Sequence, residues 1–139
     1  MIEFRHVQKY FPNNCVFSDL NLKIEAGEFV SIVGPSGCGK STLINMLIGV
    51  DKPTGGEIIV DNVRIDAMND QILQLYRRKI GVIFQDYKLL FEKNTYDNVA
   101  YALQVCGVDE STVHARVPQV LAMVGLLSKQ LNFPHELSG

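Results

Sequence analysis

Apolar and polar positions alternate along Ile2-Glu-Phe-Arg-His-Val7 and again along Leu20-Asn-Leu-Lys-Ile24. A period of two predicts half-buried β-strands. Pro12-Asn-Asn14 between them predicts a turn, and Ala26-Gly27 a second. The apolar run Phe29-Val-Ser-Ile-Val33 predicts a buried strand, and Ser41-Thr-Leu-Ile-Asn-Met-Leu-Ile48 a helix. After the breaker cluster Asp51-Lys-Pro-Thr-Gly-Gly56, Glu57-Ile-Ile-Val60 predicts a strand. Gln71 to Tyr76 predicts a short helix with Leu73 and Tyr76 on one side, and Ile80-Gly-Val-Ile-Phe84 an apolar strand ending on Gln85.

The pattern then turns helical. Thr95 is the expected N-cap of a helix running to Cys106, which Gly107 stops. Asp109 is the expected cap of another, whose Val113, Val117, Val120, Leu121 and Val124 form an apolar stripe. Pro118 is expected to bend or offset that helix and Gly125 to end it. Pro134 opens a final segment, His135-Glu-Leu-Ser-Gly139. The division this suggests is a strand-rich core over residues 1–93 and a helical annex over 94–139.

Composition adds exclusions. The chain has 139 residues, 47% of them hydrophobic, and a net charge of −2. That suits a single domain and gives no electrostatic reason to expect nucleic acid. Its apolar stretches are broken well before the ~20 residues of a membrane span, and its first residues have no signal-peptide core. Cys15, Cys38 and Cys106 lack C-x-x-C spacing, so reduced thiols are expected rather than a disulfide framework or zinc site. Arg77, Arg78 and Lys79 are expected to be a solvated helix end.

Candidate chemistry lies between the expected buried strand and helix, in Gly34, Pro35, Ser36, Gly37, Cys38, Gly39, Lys40 and Ser41, followed by Thr42. This matches the phosphate-binding pattern G-x-x-x-x-G-K-[ST] at every fixed position. Glycines let backbone N–H groups wrap a polyphosphate, and the helix that follows adds its positive dipole end. Lys40 is placed to reach the terminal phosphates, and Ser41 to offer its hydroxyl to Mg2+. A nucleoside triphosphate is the expected ligand. Cys38, between two glycines and near a lysine and a helix start, is expected to react faster than the other thiols.

With that loop, Gln85 after an apolar strand, Leu137-Ser-Gly139 and the aromatic Phe11 upstream resemble, in order and spacing, the ATP-binding cassette (ABC) ATPases. Tyr76-Arg-Arg-Lys-Ile-Gly-Val-Ile-Phe-Gln-Asp86, Thr95-Tyr-Asp-Asn-Val-Ala100 and Asn132-Phe-Pro-His-Glu-Leu-Ser-Gly139 are similar to its cell-division subgroup, the FtsE proteins. Lipoprotein-release and export ATPases are also similar here.

The resemblance implies an α/β P-loop NTPase fold of the ABC ATPase type, of which these residues form the N-terminal portion. It implies ATP and Mg2+ as ligands, with Phe11, or its neighbour Tyr10, stacking on adenine. Gln85 would join Ser41 as a metal ligand. Ser138 and Gly139 would close on nucleotide held by a second copy, in a homodimer. It implies a membrane partner resembling FtsX, contacted through Leu89 to Asn94 unless that run packs inside the domain, and a place on the inner face of a bacterial membrane. The role implied is ATP-driven signalling across the membrane that controls cell-wall hydrolysis in division. The family's acidic magnesium strand, catalytic glutamate and switch histidine have no match among these residues. The 139 residues are therefore expected to bind ATP without hydrolysing it alone, with no catalytic residue of their own. The alternative is a non-hydrolytic nucleotide-binding module.

Overall fold

The alternation in the first two dozen residues folds as a long hairpin. Strand β1 (Ile2–Phe11) pairs antiparallel with β2 (Asn14–Ile24), setting Phe4 opposite Leu22 and Val7 opposite Leu20. The other edge of β1 takes β3 (Gly55–Val60), with Phe4 opposite Ile58. A two-residue strand β4 (Val63–Arg64) extends the sheet to the order β2-β1-β3-β4. Sequence reading did not anticipate β4. Its signal was Asp61-Asn62, whose φ values of 47° and 65° suit the tight turn that returns a hairpin.

The computed structural model describes residues 1–137, and the chain divides into two compact units, Met1–Gly81 and Val82–Gly139. In the first, helix α1 (Lys40–Leu47) buries Leu43 and Met46 against Phe4, Val7, Ile58 and Ile65. Helix α2 (Asp70–Arg77) is capped by the Asn69 side chain, which accepts from Ile72 N at 3.0 Å. It satisfies orphan carbonyls at the end of α1: the Tyr76 hydroxyl donates to Leu47 O at 2.8 Å, and Arg77 donates to Ile48 O and Gly49 O at 2.9 and 2.7 Å. Arg77 stays exposed at the helix end, as its place in a basic run suggested, and is anchored there by these bonds.

Two expected strands are corrected. Neither 29–33 nor 80–84 belongs to the sheet, and Phe29, Val33 and Ile83 are 97%, 85% and 96% exposed. An apolar run reports that a segment gains from burial. It becomes a strand only where flanking chain completes its ladder.

In the second unit, α3 (Thr95–Val105) and α4 (Glu110–Met123) enclose Ala100, Val113, Val117 and Leu121. The cap of α3 is Asn94, accepting from Asp97 N at 2.8 Å, and not Thr95. The Thr95 hydroxyl donates instead to Asn132 O, also at 2.8 Å. Asp109 caps α4, and Gly107 and Gly125 follow the two helices with φ of 78° and 72°. Val120 and Val124 of the expected stripe are exposed. Burial centres on Val117, and at 100° per residue Val120 lies ~60° from it, while Val124 falls past the last turn. Short 3-10 turns at Leu127–Lys129 and Pro134–Glu136 complete the unit. No helix among the described residues is long and apolar enough to cross a membrane.

Candidate phosphate-binding site

The loop from Gly34 to Gly39 is shaped by close approach and by positive φ. Gly37 and Gly39 have φ of 81° and 101°. A Cβ at Gly39 would stand 2.5 Å from Val16 Cγ1 and 2.8 Å from Phe17 Cζ, so β2 presses on the loop where α1 begins. A Cβ at Gly34 would stand 2.6 Å from Cys38 Sγ. At Gly39 the positive φ and the packed side chains together disfavour a larger residue, whereas at Gly34 the crowding atom is the tip of the exposed Cys38 side chain.

Helix α1 starts on Gly39 with no side-chain cap, and its first internal bond is Leu43 N to Gly39 O at 2.9 Å. The N–H groups of Lys40, Ser41 and Thr42 precede that bond and present the positive end of the helix. The Lys40 ammonium folds back over the loop, donating to Gly34 O and Pro35 O at 2.8 Å each, with Cys38 Sγ at 3.7 Å. One cation and the uncapped start of α1 therefore serve one short loop, whose three glycines admit close contact by oxygen atoms. These features fit a polyphosphate. Among the described residues no three His, Cys, Asp or Glu side chains gather, so a metal ion here would rely on neutral oxygens such as the Ser41 hydroxyl and on its partner's phosphates.

Phe11 closes β1 and is 41% exposed. The Lys9 ammonium sits 4.8 Å from its ring centroid, while also donating to Lys52 O at 2.8 Å and lying 3.8 Å from Asp51 Oδ1. One face of the Phe11 ring is thus committed to a cation. Tyr10, the alternative aromatic, stands opposite Cys15, which is the main cause that pushes its phenol up from the usual value. Lys9 escaped sequence reading. Its spacing of two from Phe11 on a strand was the available signal.

Gln85 belongs to the second unit, exposed in a turn closed by Tyr87 N donating to Phe84 O at 3.1 Å. Beyond it Tyr87 and Lys88 take φ of 55° and 50°, and Lys88 pairs with Asp86, holding that carboxyl below its usual range. Leu89, Leu90 and Phe91 are exposed. The signature positions Ser138 and Gly139 lie outside the described residues.

The family model for the ABC transporter matches residues 17–139. The chain is 43% identical to the cell division ATP-binding protein FtsE of Bacillus subtilis, covering all of this chain and 61% of that protein. It is 39% identical to the methionine import ATP-binding protein MetN of Helicobacter hepaticus, covering 40% of that protein. A solved dimeric ATP-binding cassette, MJ0796, in a post-hydrolysis state with ADP and Pi, superposes with a TM-score of 0.86 at 33% identity, over 99% of this chain and 63% of that one. The chain thus spans somewhat less than two thirds of the length of its FtsE relatives.

Proposed function

The chain belongs to the ABC transporter family, and from that premise we propose that it is the ATP-binding subunit of an FtsE–FtsX-like complex, converting ATP binding and hydrolysis into a signal across the bacterial membrane for cell-wall hydrolysis during division. The observation that carries the nucleotide part is the Lys40 ammonium held on the carbonyls of Gly34 and Pro35 above the open start of α1.

In this reading the loop amides from Gly34 to Gly39, with Lys40, Ser41 and Thr42, bind and orient the phosphates, and Lys40 exchanges carbonyl oxygens for phosphate oxygens. The ring face of Phe11 away from Lys9 takes the adenine. Ser41 and Gln85 offer the oxygens for Mg2+, which when bound neutralises charge on the phosphates. Residues 1–93 serve as the nucleotide core and 94–139 as the start of the helical part. Ser138 and Gly139 of one copy meet the nucleotide of the other, in keeping with the dimeric form of the similar cassette. The segment Leu89 to Asn94, whose Leu89-Leu90-Phe91 run is exposed, is the proposed contact for the membrane partner, and the proposed location is the inner face of the membrane.

A second reading, an ATPase subunit of a methionine importer, is favoured by the similar identity to MetN. Depleting the protein in its source separates the two. Filamentous cells with unchanged methionine uptake support the first reading, and lost uptake with normal division the second.

A further inference from the structure

The segment that follows Gln85 holds an unusual conformation, and one side chain ties the backbone just beyond it to a helix. Tyr87 and Lys88 are consecutive non-glycine residues in the left-handed region, with φ of 55° and 50°. Such residues persist where their surroundings over-determine them, at a cost of about 1 kcal/mol or more each. Their apolar neighbours Leu89, Leu90 and Phe91 stay exposed, with Phe91 at 66%, so burial does not fix them.

Tyr87 and Lys88 are held locally, by Tyr87 N donating to Phe84 O at 3.1 Å, Lys88 N to Asp86 O at 2.6 Å and the Lys88–Asp86 ion pair. The residues after them are held from the first turn of α3. Asn98 Oδ1 accepts from Leu90 N at 2.9 Å, and Nδ2 reaches Leu90 O at 3.0 Å, Lys93 O at 2.9 Å and Asn94 O at 3.0 Å. The amide thus pairs with both backbone groups of Leu90, as a neighbouring strand would. Its NH2 carries only two hydrogens, so one is shared between carbonyls. The orientation of the amide is set by these partners, one N–H facing the oxygen and three carbonyls facing the nitrogen. Lys93 N donates to Leu90 O at 3.0 Å, closing residues 90–93 into a turn tied to the helix.

We infer that Asn98 is a positioning residue: its side-chain amide clamps the backbone of residues 90–94 to α3 and so presets the exposed apolar run 89–91 that a partner meets. No other side chain carries both the donors and the acceptor at this reach. Aspartate keeps the acceptor but turns a carboxylate on three carbonyls, and alanine removes both. The role of the run as a partner contact rests on the reading given above; the clamp does not.

Hydrogen–deuterium exchange and limited trypsin digestion of the chain test it. In Asn98→Ala, exchange at Leu90 N–H and cleavage after Lys88 are expected to rise about tenfold or more, the effect of losing two hydrogen bonds. Exchange of the Ala100 to Leu103 amides, and binding of a fluorescent ATP analogue, are expected to stay within about twofold, because α3 and the Lys40 loop keep their own contacts. Asn98→Asp is expected to match Asn98→Ala in cleavage after Lys88. Unchanged exchange at Leu90 in Asn98→Ala, or parental protection in Asn98→Asp, overturns the clamp. Loss of protection throughout α3 would assign Asn98 to folding instead, and also overturns it. With photoreactive p-benzoylphenylalanine at position 91 of the full-length protein in cells, crosslinking to a membrane protein is expected, and Asn98→Ala is expected to weaken it. Absence of any crosslink removes the partner reading, while the exchange data still decide the clamp.

Discussion

The Lys40 ammonium carries three hydrogens, and the carbonyls of Gly34 and Pro35 accept two of them. Phosphate oxygens offer the same charge-assisted bonds with an anionic acceptor added, so each becomes an ion pair. Two charge-assisted bonds of this kind amount to about 3 kcal/mol. Lys40→Ala is therefore expected to weaken a fluorescent ATP analogue by about a hundredfold. Unchanged affinity would remove Lys40 from the site. Gly39 fails differently. Alanine there meets both the φ of 101° and Val16 Cγ1 at 2.5 Å, so strain falls on the junction of β2 and α1. Gly39→Ala is expected to lower the unfolding free energy read from urea titration by about 1–3 kcal/mol as well as to impair binding. A variant of parental stability would mean that the junction yields. The loop was legible in sequence because each of its demands, for glycine or for a cation, is met by one residue type at fixed spacing. Lys9 was not, because a strand residue's place against a ring depends on the fold around it.

Among the elements, α4 shows how a local signal is read and then titrated. Asp109 Oδ1 accepts from Thr112 N at 2.9 Å and from the Ser111 hydroxyl, and Oδ2 accepts from the Thr112 hydroxyl at 2.7 Å. The Ser111 hydroxyl first, then the hydroxyl and amide of Thr112, hold its carboxyl down at about 2. The folded value is thus below the ordinary ~3.9 of an unfolded chain. Its contribution is complete above that ordinary value and disappears as the pH falls through about 2. Asp109→Asn should keep the cap and flatten this acid limb, and Asp109→Ala should fray the helix start at every pH. Amide chemical shifts of Ser111 and Thr112 across an acid titration check both; an acid limb surviving in Asp109→Asn would assign it elsewhere. Asp109 was readable because its partners lie within three residues. The cap of α3 was misplaced by one residue because the hydroxyl of Thr95 goes to Asn132 O, a partner no local window contains. The same limit explains 29–33 and 80–84, whose apolar character was plain while their ladder partners were not.

For the molecule as a whole, each unit has its own core, and each also carries exposed apolar chain. In the first, Phe29 and Val33 are 97% and 85% exposed, and in the second Ile83 is 96% exposed. Exposed apolar chain outside a core is a template for association between molecules. With a net charge of only −2, long-range repulsion opposes it weakly. The 139 residues are accordingly expected to self-associate in a concentration-dependent way, read as rising light scattering. Phe29→Lys with Ile83→Lys should suppress the scattering without lowering the melting temperature, since neither side chain belongs to a core. Ligand acts by another route. Nucleotide bound only by the folded loop stabilises by mass action, about 2.7 kcal/mol at a hundred times its dissociation constant. A melting temperature raised by magnesium-ATP in the parent and not in Lys40→Ala would tie that gain to the loop. Scattering should respond to the double lysine variant and melting to Lys40, each without the other. A sharp, concentration-independent transition in the parent, with no scattering, would show that the exposed runs are harmless.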